Sequence, residues 1–194
     1  MSGKSEKIFD FIGKWIIITG GLLASVFSFL SVFEIPVNKP AAILFAMVVT
    51  GIFLGFSKWK MLVKSKKIRW LFRCLILLMF LGLLFLLRKM LLIGICYSSD
   101  QVLHAYNEYF SDNILGFYDE GTKIVHFGRY CTVLVLVVTV VYSYILVIAT
   151  ADKLFASIHL LLSVLFVVPG LILGRMPDSF LVSVLMIYYL LCFM

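Results

Sequence analysis

His159 is the one ionisable residue well inside a long apolar run, with Ser157 two residues before it and Ser163 one helical turn after it. Such a group can hold a polar solute or pass a proton, and an ionisable residue at membrane depth is by default a candidate functional site. The plainer reading is a neutral imidazole that donates to a backbone carbonyl near the inner membrane face. Other chemistry is thin. Cys74, Cys96, Cys131 and Cys192 sit in or at the ends of apolar runs, with no CxxC and no histidine at zinc spacing. Cys96 and Cys131 flank one polar segment and are a candidate disulfide in an oxidising exterior, while buried free cysteines pack as small apolar residues. His104 and His126 have no second ligand cluster. Acidic residues are absent from the apolar runs, which argues against a carboxylate proton relay. No nucleotide-binding loop, H-E-x-x-H or G-x-S-x-G occurs. No catalytic, metal or cofactor site is therefore expected, and no enzymatic activity within this chain.

The elements that must position His159 follow from composition. The chain has 194 residues, 63% of them hydrophobic and 14% charged, and a mean hydropathy of +1.11. That is more apolar surface than one soluble core of this length can hide, so lipid has to cover the remainder. The expected fold is an all-α polytopic transmembrane helix bundle of about six spans with one outer amphipathic interfacial helix.

The stretch KWKMLVKSKKIR, residues 58–69, carries Lys58, Lys60, Lys64, Lys66, Lys67 and Arg69 and no acid. Each such residue costs roughly 2.5–3.5 kcal/mol at the centre of a membrane helix, so the stretch reads as a loop in water, and the cytoplasmic bias of Lys and Arg places it inside. Residues 1–14 then form a cytoplasmic tail. The net charge of +7 comes from bases beside membrane runs, which points to anionic headgroups and not to nucleic acid.

Spans are read at Trp15–Phe33, Ala41–Phe56, Trp70–Leu87, Tyr130–Thr150, Leu154–Gly174 and Phe180–Met194. The first is 19 residues, about 28 Å of helix, too long for the apolar core of a signal peptide. EIPVNKP, with Pro36 and Pro40, is a turn. Gly51 and Gly55 form a GxxxG pair that lets another helix approach. Arg88 and Lys89 offend the topology, since that end should face outward. Either they snorkel to the outer interface where the third span ends, or the helix continues through Tyr97 with the pair facing a protein interior. The last run is still apolar after 15 residues, which reads as a chain cut inside or just after a helix.

The external segment, 98–129, opens with Ser98-Ser99-Asp100-Gln101, a capping box. Val102, Tyr106, Tyr109, Phe110 and Ile114 then recur at helical spacing against Asp100, Gln101, His104, Asn107, Glu108 and Ser111. This predicts a short helix lying on the outer surface, aromatic stripe down, either a platform for an extracellular partner or a connector. Asp152 is expected to cap the fifth span. Eleven of 17 basic residues fall inside and seven of ten acids outside. Trp15, Trp59 and Trp70 fall at the inner interface, and Tyr97, Tyr106, Tyr109, Tyr118 and Tyr130 on the outer side.

The EIPVNKP hairpin, the basic stretch, VLHAYNEYFSDNILGFY and the closing pair marked by VVPGLILGRMPDSFLVSVL resemble the N-terminal multi-span region of bacterial membrane-anchored transglutaminase-like proteins. In that family a papain-like Cys-His-Asp domain follows the spans on the outside. Nothing here matches that domain's motif, so the resemblance carries over no catalytic residue. Six spans from an inner N-terminus return to the cytoplasm, so such a domain requires one further crossing beyond Met194. The expected role is anchoring and positioning of an extracellular transglutaminase-like or partner domain, in the bacterial plasma membrane. The alternatives are a small transporter or channel built around His159, and an interaction or immunity-type protein acting through 98–129.

Overall fold

A computed structural model describes the backbone of residues 2–62, 66–118, 126–150 and 155–193, and side chains over 8–57, 74–118, 126–150 and 157–190. Among these residues there are six helices and no strand: α1 (Ser2–Val32), α2 (Lys39–Leu62), α3 (Lys66–Phe110), α4 (Phe127–Ala149), α5 (Phe155–Ile172) and α6 (Ser179–Phe193). Four are long and apolar enough to cross a membrane, over Ile8–Val32, Lys39–Ser57, Cys74–Phe110 and Phe127–Ala149. The apolar parts described in the last two, Ser157–Ile172 and Ser179–Leu190, are shorter.

The bundle is built around α1, which packs on α2, α4, α5 and α6. Its middle carries small residues, Gly20, Gly21, Ala24, Ser25 and Ser28, and small residues let neighbouring helices approach closely where lipid supplies no hydrophobic drive. Ser25 and Ser28 are buried and donate to the carbonyls of Gly21 and Ala24, four residues back, which satisfies hydroxyls that hydrocarbon would leave bare. Trp15, expected as an interfacial anchor, is held within the bundle. Its indole N–H donates to the Met47 carbonyl at 2.8 Å, and its ring lies over Gly51. Gly51 therefore seats a side chain, not a helix backbone, while Gly55 faces open space.

α1, α3 and α5 end in the same way. A residue with positive φ (Glu34 at 51°, Ser111 at 56°, Gly174 at 66°) is followed by one whose N–H reaches back five residues: Ile35 to Leu30, Asp112 to Asn107 and Arg175 to Gly170. This is the Schellman closure, which satisfies orphan carbonyls at a helix end. Only Gly174 takes the left-handed conformation without steric cost. Glu34→Gly is accordingly expected to stabilise the protein by up to about 1 kcal/mol, read as a higher midpoint in a thermal melt of the purified protein. The turn then passes to Asn38, whose side chain accepts from the Ala41 N–H at the start of α2. Asp178 does the same for Phe180 at the start of α6.

Three expectations change. The basic stretch is not one twelve-residue loop: α2 runs through Lys58 and Lys60 to Leu62, and α3 starts at Lys66, so Lys67 and Arg69 are helical as well. Strong helix formers on both sides carry the helices past the apolar limit. Residues 1–14 are likewise no separate tail, because α1 starts at Ser2 and Lys14 pairs with Asp10 one turn earlier at 3.0 Å. The third correction is the largest. The third span and the outer helix are a single 45-residue helix, about 67 Å long against a hydrocarbon thickness near 30 Å. Arg88 and Lys89 neither end it nor face a protein interior. Both are exposed, with the Arg88 guanidinium over the Phe85 ring. Nothing between Leu87 and Ser98 breaks a helix, so the capping box has no end to cap.

α3 packs chiefly on α4, and the two backbones close where Gly94 meets Tyr130. Beyond that point its contacts move across the bundle end, from Phe127, stacked on Tyr97, and Cys131, beside Ser98, to the α5–α6 turn at Gly174 and Arg175. Lys64, the capping role of Asp152, the side chains of Lys58, Lys60, Lys66, Lys67, Arg69, Trp59, Trp70 and Cys192, and residues 119–125 lie outside the described residues.

Candidate functional site

His159 is fully buried at 0% exposure, enclosed by α1, α4 and α6. Its ring centroid is 4.3 Å from that of Tyr188, 5.6 Å from Tyr189 and 5.9 Å from Tyr142. Nδ1 lies 3.3 Å from the Ser163 hydroxyl, which lies 2.8 Å from the Ser25 hydroxyl. The Tyr142 hydroxyl donates to Ser25 at 3.3 Å and is 3.4 Å from Ser163. Tyr189 donates to the His159 carbonyl. Gly21 is required by space: a Cβ there would stand 2.6 Å from Tyr188 Cε2 and 2.7 Å from His159 Nε2.

The local reasons are simple. Ser163 is one turn after His159, so both share a face of α5, and Gly21 and Ser25 are one turn apart on α1. Ser157, read as part of this cluster, is exposed and takes no part. Ser163 is itself buried, at 3% exposure. What the arrangement does is join α1, α4 and α5, with α6 closing over it, by hydroxyl and imidazole contacts. In membranes such contacts are worth about 0.6–2 kcal/mol each. A smaller link, Thr50 to Ser143 at 3.2 Å, ties α2 to α4.

The second polar assembly is at the helix ends where α1, α3 and α5 finish. Asp100 accepts from the N–H groups of Phe117 (2.7 Å) and Tyr118 (3.0 Å). Asn107 pairs with both backbone groups of Ile114, donating to its carbonyl at 2.8 Å and accepting from its N–H at 3.2 Å. Residues 111–118 are thereby clasped along the last turns of α3. Arg175 is ion-paired with Glu108 and donates to the Val32 carbonyl at the end of α1. The Asn38 N–H donates to the Thr132 hydroxyl of α4 at 3.0 Å. Burial first, then the neighbouring Cys96 and Asp100, hold the Tyr118 phenol above its ordinary value, so it stays neutral.

Of the expected outer stripe, Val102 and Tyr106 pack against the core, whereas Tyr109, Phe110 and Ile114 stay exposed. Tyr109 lies against Gly174. Cys74, Cys96 and Cys131 are free thiols, so the Cys96–Cys131 bridge is not formed. Among the described residues no three His, Cys, Asp or Glu side chains are placed to share a metal ion.

Asp100→Ala removes the acceptor for two amides. Hydrogen bonds to a charged group contribute about 1.5–3 kcal/mol, less where exposed, so exchange of the Phe117 and Tyr118 amides is expected to speed up about tenfold or more. Hydrogen-exchange mass spectrometry of a peptide covering 111–118 reads this directly.

Sequence reasoning missed Asp100 and Asn107 as clasps and Gly21, Ser25 and Tyr142 as neighbours of His159. The Gly21/Ser25 spacing was a visible sign of a small polar face; nothing local marked the rest. No protein-family model matches the chain, and comparison with curated proteins and with solved structures finds no match.

Proposed function

We propose that the chain is an integral membrane anchor that holds a partner domain at the outer surface of a bacterial plasma membrane, with its N-terminus inside and about six membrane passages. The supporting observation is the cross-tied outer end. Arg175 ties the α5–α6 turn to α3 through Glu108 and to the end of α1 through the Val32 carbonyl, Thr132 ties α4 to the α1–α2 turn at Asn38, and Asp100 and Asn107 clasp 111–118 onto α3; side chains on helices hold a surface more rigidly than loops do. The partner sits in the same polypeptide or a separate one, and the transglutaminase-like resemblance makes a papain-like catalytic domain its first candidate.

The test is a photo-crosslinking amino acid at exposed His104 or Asp112 in intact cells. Capture of one defined outer-surface domain supports an anchor; labelling of lipid alone at both sites rejects it. Orientation is checked separately by Ser111→Cys, which is expected to react with an impermeant thiol reagent added outside. Reaction only after permeabilisation reverses the sidedness.

The buried His159 cluster favours a second reading, a small transporter or channel, because polar groups from α1, α4 and α5 converge beside the proline-containing α5. Solute or ion flux in proteoliposomes, lost in His159→Leu, would support this reading over the anchor.

A further inference from the structure

α3 carries two basic residues for which the described residues supply no counter-charge. Between Arg73 and Asp100 the helix has 26 residues, of which Arg88 and Lys89 alone are charged. A helix needs about 20 residues to cross a membrane, and every window of that length between Arg73 and Asp100 contains the pair. Both side chains are exposed, and the ion pairs formed among the described residues are Lys14–Asp10 and Arg175–Glu108. Basic residues within a membrane helix are costly, so they face a bundle interior or pair with an opposite charge. Neither condition is met among the described residues.

Lys89 belongs to a stripe with Leu75, Leu78, Gly82, Phe85 and Leu92, all of them exposed. Their steps of three, four, three, four and three residues are those of a heptad seam, with Gly82 and Lys89 one heptad apart. Gly94, which seats α3 on α4, is five residues beyond Lys89 and so about 140° around the helix. The stripe is therefore the side that α4 leaves open. Leucines at this spacing are frequent in so apolar a run, and the informative members are Gly82 and Lys89. A Cβ at Gly82 would meet nothing within 4 Å, although glycine weakens a helix relative to alanine. In a membrane such a residue lets a second helix backbone approach closely. A lysine within a seam fixes its register, and a basic residue beside it, here Arg88, pairs across the interface.

We infer that this stripe docks an apolar helix of a partner protein, which sets an Asp or Glu against Lys89 and Arg88. A second copy of this chain does not serve. Parallel pairing would bring Lys89 against Lys89, and none of the six apolar runs holds an acid. Acyl chains require neither the register nor the space at Gly82. The site is independent of the anchoring role, since a transporter would take the same helix.

The experiment uses the full chain in intact cells, with a photoreactive amino acid in place of Leu78, Leu92 or one of two exposed residues beside the stripe, Met79 and Leu81. Illumination is expected to join positions 78 and 92 to one polypeptide, with at least tenfold less product from 79 and 81. Mass spectrometry of the joined peptides is expected to place an Asp or Glu between the two points of attachment. Arg88→Gln with Lys89→Gln removes the charge and is expected to cut both products at least tenfold. Arg88→Glu with Lys89→Glu is expected to abolish them, and changing the partner's acid to lysine to restore them. If the glutamate variant does not reach the membrane, the glutamine variant decides. Products that persist without the charges, or equal labelling at all four positions, overturn the site. So does a joined helix with no acid between the two points, a second copy of this chain, or an adduct with lipid alone.

Discussion

Gly94→Leu is expected to free α3 from the bundle. A Cβ at position 94 would stand 2.8 Å from the Tyr130 carbonyl oxygen and 3.1 Å from its carbon. Both are backbone atoms, so relief requires moving α4 and not a side-chain tip. Overpacking of this kind costs about 1–3 kcal/mol, against which alanine in a helix recovers about 1 kcal/mol over glycine. Gly94→Ala is therefore a modest net loss. Leucine brings a similar propensity gain and three further carbons into the same space, so its loss is larger. Because α3 packs chiefly on α4, the damage should be local: residues 98–118 lose hydrogen-exchange protection while α1, α5 and α6 keep theirs. Unchanged protection across 98–118 in Gly94→Leu would show that this crossing does not hold α3.

Gly21→Ala is expected to be the most damaging single-methyl change in the molecule. The added carbon would meet Tyr188 at 2.6 and 2.7 Å and His159 at 2.7 Å. Both residues are buried, at 5% and 0% exposure, and their rings lie against each other, so neither ring moves without the other. Displacing His159 pulls on Ser163 and, through it, on Ser25 and Tyr142. The expected loss is at the upper end of the 1–3 kcal/mol range, read as a several-degree fall in the thermal midpoint of the purified protein. His159→Leu is the control. It keeps an apolar residue of comparable size while Ser163 retains Ser25 and Tyr142, so it should cost about 1 kcal/mol or less. A fall as large as that of Gly21→Ala would show that the imidazole itself, not space around Gly21, holds the corner.

Two aspects of this protein were decided at different scales. The sequence alone determined the all-helical class, the turn at EIPVNKP, the limits of α4, α5 and α6 to within about three residues, and the burial of His159 in an apolar run. Each depends on local properties: hydropathy over a span, proline that cannot continue a helix, glycine and aspartate at helix ends. Tertiary structure decided the rest. Ser98-Ser99-Asp100-Gln101 has the spacing of a cap, but a cap acts only where a helix begins, and no local breaker interrupts α3 there. Asp100 instead serves amides 17 and 18 residues later. Ser25 meets a hydroxyl 138 residues away, and Glu108 a guanidinium 67 residues away. No periodicity encodes such pairings. They follow from where the chain turns back after α3 and which helices lie side by side, and the choice of helix neighbours rests on small differences in close packing among faces that are largely apolar.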